Sequence, residues 1–426
     1  AINAKRFNIE AERAFARNRL VSELSTPQIP PQFKDAVNAL MRTTGKNENE
    51  CLQMIGLQPN AKPHFSINDA ANAIFDQRIF DHIDFESSQR TNSSTYNKDE
   101  DAYKTSLIRS VIGRRPTHLQ NIENLGLVSL IYPAIEATKE IPSGWKRANL
   151  TEADWKDFLK ISIDYVIRMG NHLQAPTDNE LQYLRDSDRS TPFNPEEWPE
   201  VKNGNITANQ HRLILLLCAA LKINDKTTLV QRRDKVNTLL GETWSFLEKN
   251  ILTKVKDDDR YYEETDEKGN HIYIDWYYLD MSLDSQACKL AITEKAYICP
   301  VTGYVLDTSF CGYSPSIKGC ICNENISRFA IQQSAYINMP IIGTDSFTKD
   351  IEDLKNAGVW NDRHKYAYQK TSHGYLTAEH SGQQNRYRLD YYTNEFKSEP
   401  HKLNLLQCST TMEMGVDIGD IDTVLM

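Results

Sequence analysis

The chain has 426 residues, 40% hydrophobic and 25% charged, an ordinary globular composition with room for two or three domains. A net charge of −9 argues against a protein that coats nucleic acid non-specifically, while leaving room for a local basic groove. The longest apolar stretch, Leu213 to Leu221, is too short to cross a bilayer, and no basic-then-apolar leader opens the chain.

Eight cysteines are too thinly spread for a disulfide scaffold and point to a reducing, cytoplasmic setting. The start at Ala1 rather than Met suggests a piece of a longer protein, either engineered or processed.

Residues 1–256 read mainly as helices. Phe33, Val37, Leu40 and Met41 share one helical face, preceded by Pro30-Pro31 and closed by Gly45. Ser66 with Asp69, and Thr151 with Asp154, have capping-box spacing. The second box precedes Trp155, Leu159, Ile163 and Val166 at helical spacing. Ala208 to Leu221 is apolar nearly all round and predicts a buried helix, and Val236 to Leu252 predicts an amphipathic one. Glu86 to Asp101 is almost wholly polar and reads as a loop.

Residues 257–330 change character. Arg260 to Thr265 and His271 to Leu279, rich in Tyr, Ile and Trp, flank Glu267-Lys268-Gly269-Asn270 and predict a β-hairpin. Tyr297 to Ser309 reads as extended, with a turn at Pro300 to Gly303. Cys299, Cys311, Cys320 and Cys322 are the candidate zinc set. Their spacing lacks a Cys-x-x-Cys knuckle, and buried free thiols are the competing reading.

Residues 331–426 alternate differently: a strand at Leu376 to His380, a helix from Gly382 to Lys397, a strand at Leu403 to Cys408 and the start of another at Thr423 to Met426. Strand, helix, strand at this spacing predicts the βαβ unit of a parallel sheet.

The run Leu406-Gln407-Cys408-Ser409-Thr410-Thr411-Met412-Glu413-Met414-Gly415-Val416-Asp417-Ile418 resembles motif V of superfamily 2 helicases. There a strand of the second RecA-like domain ends in small hydroxyl residues, followed by a short helix and Gly-Ile/Val-Asp. Hydroxyls and backbone N–H groups after a strand suit a phosphate. Thr377-Ala378-Glu379-His380-Ser381-Gly382-Gln383-Gln384 resembles the strand and turn that precede this motif, and Arg386 with Phe396-Lys397 fits the helix between them. Arg115-Pro116, Glu123 to Val128, Cys299-Pro300-Val301-Thr302-Gly303, Leu306-Asp307-Thr308 and Ser314-Pro315 resemble segments of large bacterial helicases with a long insertion between two RecA-like domains.

The resemblance implies that Ser409, Thr410, His380 and Ser381 contact nucleic acid, with Ser409 and Thr410 on phosphate. It places Gly415 and Asp417 on the nucleotide side, coupling ATP to strand movement. Other parts of the helicase pattern are missing. Gly45-Lys46 is followed by Asn47 and has Leu40 where the first glycine of a phosphate loop belongs, and no Asp-Glu box for magnesium occurs. An arginine-finger segment would lie past Met426. Phosphoryl transfer needs all three, so no catalytic residue is expected here and the chain alone is expected not to hydrolyse ATP. ATP and Mg belong to the intact parent, and neither is expected bound to this chain.

The basic pairs Arg114-Arg115, Lys146-Arg147 and Arg232-Arg233 read first as solvated surface. The aromatic cluster of Tyr261, Tyr262, Trp276, Tyr277 and Tyr278 reads first as hairpin packing rather than a base-stacking platform.

The expectation is therefore a helix-rich α/β chain in three segments. These are a helical insertion region (1–256), a β-hairpin and cysteine segment (257–330) and an incomplete RecA-like parallel domain (331–426). The chain would belong to an ATP-dependent helicase or translocase acting on nucleic acid, DNA in the first instance, with no membrane partner and with protein partners through the helical region. The rival reading is a non-catalytic protein-interaction scaffold whose helicase-like terminus is vestigial.

Overall fold

The computed structural model describes residues 4–25, 31–46, 48–56, 64–81, 99–112, 121–181, 183, 190–202, 209–256, 261–265, 271–332, 335–369, 376–380, 386–398 and 403–408. The chain is helix-rich, with several small sheets, mixed α and β as its sequence predicts.

Helix α1 (Ala4–Ser25) buries Phe15, Ala16, Leu20, Val21 and Leu24. Helices α2 (Pro31–Thr44) and α3 (Glu48–Met54) form a small cluster of their own around Val37, Cys51 and Leu52. The Gly45 N–H bonds the Met41 carbonyl at 3.0 Å, closing α2 where the sequence places its stop. Strand β1 (Phe65–Ser66) runs into α4 (Ile67–Ile74) through the Ser66–Asp69 capping box, formed as expected.

Helix α5 (Glu100–Val111) corrects the reading of Glu86 to Asp101 as one loop. Asp99 caps it, so its first turn lies inside that stretch, while residues 82–98 are outside the described residues. The helix buries Tyr103, Leu107, Ile108 and Val111 at helical spacing and also buries polar side chains between them, which blurs its apolar face. Thr105 and Ser106 donate to the carbonyls of Asp101 and Ala102 one turn back, each at 2.9 Å, and Lys104 pairs with Glu100 at 2.6 Å.

Strand β2 (Val128–Ile131) is followed by α6 (Pro133–Ala137), α7 (Ser143–Arg147) and α8 (Glu152–Ser162). The Thr151–Asp154 box caps α8, which continues into a π-helical turn at Ile163–Arg168. After α9 (Asp178–Leu181) comes α10 (Arg212–Ala220), buried from Leu213 to Ala219. It is the central helix expected from 208, beginning instead at 212, where the His211 side chain accepts the Leu213 N–H. Helices α11 (Lys226–Gln231) and α12 (Arg233–Asn250) follow.

Strand β3 (Thr253–Lys254) precedes the hairpin of β4 (Tyr261–Thr265) and β5 (His271–Ile274), antiparallel as expected. The second strand ends earlier than its composition suggests. The chain leaves the hairpin after Ile274, and β6 (Tyr277–Tyr278) pairs with β3. The buried Tyr277 ring packs on Trp244 at 5.5 Å, so this part of the aromatic cluster is core packing.

Strand β7 (Lys289–Ile292) lies between β1 and β2 in an antiparallel sheet. Strands β8 (Lys295–Ile298) and β9 (Val305–Leu306) form the hairpin expected around Pro300 to Gly303. Gly303, at φ +68°, sends its N–H to the Cys299 carbonyl at 2.9 Å, a turn that favours glycine. After α13 (Asn323–Ser327), β10 (Tyr336–Asn338) adds to the free side of β8, giving the order β10-β8-β9.

Helices α14 (Phe347–Asn356) and α15 (Asp362–Tyr368) lead to β11 (Thr377–His380), α16 (Arg386–Lys397) and β12 (Leu405–Cys408). The main core draws residues from Ala16 to Ala367 and so runs through both positions, 256/257 and 330/331, at which composition divides the chain. No helix among the described residues is long and apolar enough to cross a membrane.

Candidate nucleic-acid interface at the ends of two parallel strands

Strands β11 and β12 pair in parallel with register Thr377↔Leu405, Ala378↔Leu406, Glu379↔Gln407 and His380↔Cys408. Helix α16 connects them, so the βαβ unit read from the sequence is present. Its core is small. Leu376, Ala378, Tyr392 and Leu403 are buried together with Phe15 of α1 and Ile79. Asn404 clamps the start of the pair. Its N–H bonds the Leu376 carbonyl, and its side chain accepts the Leu376 N–H, both at 2.9 Å.

The register matters because both strands finish level. His380 and Cys408 are the last partners of the ladder, with backbones about 5 Å apart by ordinary strand spacing. The next residues in the chain are Ser381 after His380 and Ser409-Thr410 after Cys408. Ser381, Ser409, Thr410, Gly415 and Asp417 lie outside the described residues, and of His380 the backbone position alone is described. Carboxyl ends of adjacent parallel strands are where α/β sheets take ligands, since N–H groups and side chains there face no covering helix.

The zinc set is not assembled. The Cys299 thiol accepts a bond from Ser314 Oγ at 3.1 Å, Cys311 Sγ lies 3.3 Å from Asp154 Oδ1, and Cys320 and Cys322 sit 3.9 Å apart, sulfur to sulfur. Among the described residues no group of three or more His, Cys, Asp or Glu side chains is placed to hold a metal ion. Burial raises the Cys299 pKa, but bonds from Ser314, Thr302 and Val301 outweigh it, and the thiol lies below its ordinary value.

The structure also contains a buried charge network, of which the sequence marks only Lys160, Asp164 and Arg168 at i,i+4 spacing. Arg168, in the π-helical turn, donates through Nη1 to Glu123 Oε1 at 2.9 Å and to Asp164 Oδ1 at 2.8 Å, and through Nη2 to Glu123 Oε2. Tyr132 donates to Asp164 Oδ1 at 2.6 Å, and Lys160 reaches Asp164 Oδ2 at 2.8 Å and Asp307 Oδ2 at 3.1 Å. Burial works against the Arg168 charge, but Glu123, Tyr132 and Asp164 hold its pKa well above the usual value. Tyr132, raised by burial and then by Asp164, stays a proton donor.

Glu123 and Asp307 fall in two of the segments with helicase resemblance, and the structure brings those segments together. Gly126, at φ +71°, passes against Val305, where a Cβ would collide with the valine side chain. His364 Nε2 donates to the Leu125 carbonyl at 2.9 Å, adding α15 to the same junction. The basic pair Arg232-Arg233 is occupied locally: Arg232 donates to the Leu221 carbonyl at 3.1 Å and Arg233 to Asp234 at 2.9 Å. Comparison with protein-family models, curated proteins and solved structures gives no match.

Proposed function

We propose that this chain is part of an ATP-dependent nucleic-acid helicase or translocase, in which the ends of β11 and β12 contact the strand. The in-register parallel pair supports the reading, because it sets His380 and Cys408, the residues before Ser381 and Ser409-Thr410, level with each other. Hydroxyls and backbone N–H groups at such an edge hold phosphate without reading sequence. Helix α1 shares an apolar cluster with β11 through Phe15 and also packs on α15, which joins the strand pair to the helical body.

Gly415 and Asp417 follow on the same segment and are assigned to the nucleotide side. ATP and Mg would act in the intact protein, since this sequence carries no Gly-x-x-x-x-Gly-Lys-Ser/Thr cradle. The chain's own part is to hold the strand and pass movement to the rest. Asp417→Ala in the intact protein tests this assignment. It is expected to leave ATP turnover while abolishing strand movement, and unchanged rates of both would remove the assignment.

A further inference from the structure

We infer that the edge of β10 is a docking site for an extended peptide strand from a partner protein. A cavity of about 970 Å³ runs along this edge, lined by Lys295, Tyr336, Ile337 and Asn338 on one side and by Asp353 and Ala357 of the α14 end on the other. It is therefore a groove between a sheet edge and a helix. An added strand could pair with the first there and rest on the second.

The ladder shows which backbone groups face it. Met339 N–H bonds the Glu294 carbonyl at 2.8 Å, so by antiparallel alternation Ile337 bonds inward to β8. Tyr336 and Asn338 then turn their N–H and C=O groups outward into the groove. That is four main-chain groups in the spacing a β-strand offers.

Charge decides between occupants. Lys295 and Asp353 line the same groove, and neither makes an ion pair among the described residues. One cation facing one anion does not suit a polyanionic nucleic-acid backbone, which needs a basic track. It suits a zwitterionic peptide, an acidic side chain meeting Lys295 and a basic one meeting Asp353. Ile298, Ile331 and Ile337 provide the apolar wall for alternate side chains, and the exposed Tyr336 ring provides a lip.

The test uses the full chain and a fluorescein-labelled peptide of alternating valine and threonine with a glutamate at one end and a lysine at the other. Anisotropy is expected to show saturable binding. Methylating the peptide's ladder amides, or Asn338→Pro, which removes one outward N–H without touching β8, is expected to weaken it about tenfold. Lys295→Glu should weaken it several-fold. The methylated peptide needs no mutation, so a folding defect cannot imitate its effect. Absence of binding, or binding indifferent to methylation and to Asn338→Pro, overturns the inference. So does displacement of the peptide by an oligothymidylate whose own binding is lost in Tyr336→Ala.

Discussion

Arg168 bonds Glu123 inside the core across forty-five residues of sequence, at 2.9 Å, with both side chains removed from solvent. The pair ties the π-helical turn after α8 to the segment that enters β2. Desolvating two charges cancels much of the gain from pairing them, so the network is better read as fixing geometry than as adding stability. Removing one partner is another matter. Arg168→Met takes the guanidinium from buried Glu123, while Asp164 keeps Tyr132 and Lys160, and is expected to cost about 3–5 kcal/mol, read as a lower urea midpoint. Glu123→Gln together with Arg168→Met should cost less than the sum of the two changes, and strict additivity would show that the network is not coupled.

Asn18 of α1 donates to the carbonyls of Tyr366 and Ala367 at the end of α15, at 3.0 and 3.1 Å. The Tyr366 carbonyl also takes the Gln369 N–H at 3.3 Å, and the asparagine adds a bond to each of these C-terminal carbonyls from a distant helix. Asn18→Ala is expected to destabilise by about 1–3 kcal/mol and to raise amide exchange in α15. Unchanged exchange there would mean that water replaces the asparagine without loss.

Asp157 has its pKa raised from 3.8 to about 7, first by burial, then by Asp154, with Lys160 opposing and Asp307 and Glu136 adding to the rise. A folded value above the unfolded one means the native state holds a proton that the unfolded chain releases between about pH 4 and 7. Stability from this group is full at the acid end and falls as pH rises through that window. Asp157→Asn should therefore stabilise at pH 8 by about 1–2 kcal/mol, discounted for partial exposure, and by nothing at pH 4. A benefit that is the same at both pH values would contradict the assignment.

The two capping boxes offer a simpler check. Thr151→Ala and Ser66→Ala each remove a bond to the N3 amide and are expected to cost about 1 kcal/mol. A cost near zero in thermal melts would show that Asp154 or Asp69 alone suffices.

What the sequence reveals follows from where the information sits. The Ser66 and Thr151 boxes, the α10 apolar run, the hairpins and the strand–helix–strand order of residues 376–408 are all local patterns, and each appears in the structure. Helix α5 is hard to read because Lys104, Thr105 and Ser106 are buried through hydrogen bonds and an ion pair beside Tyr103, Leu107, Ile108 and Val111, so polar and apolar positions do not separate into two faces. The Arg168 network and the β10 edge depend on partners far apart in the chain, Glu123 with Arg168 and Tyr336 with Tyr297, and spacing carries no trace of them. Of the candidate interface, the strands before Ser381 and Ser409 were legible. Their alignment, His380 opposite Cys408, needed the ladder itself.

The central claim concerns that aligned edge, and one measurement addresses it most directly. Binding of labelled single-stranded DNA to the full chain is followed across a salt series, for the parent sequence and for Ser409→Ala/Thr410→Ala. The account predicts binding that weakens steeply with salt and is several-fold weaker in the double variant at every salt concentration, with the same salt slope, because neutral hydroxyls release no counterions. Failure to bind at low salt, or binding that the double variant leaves unchanged, would contradict it.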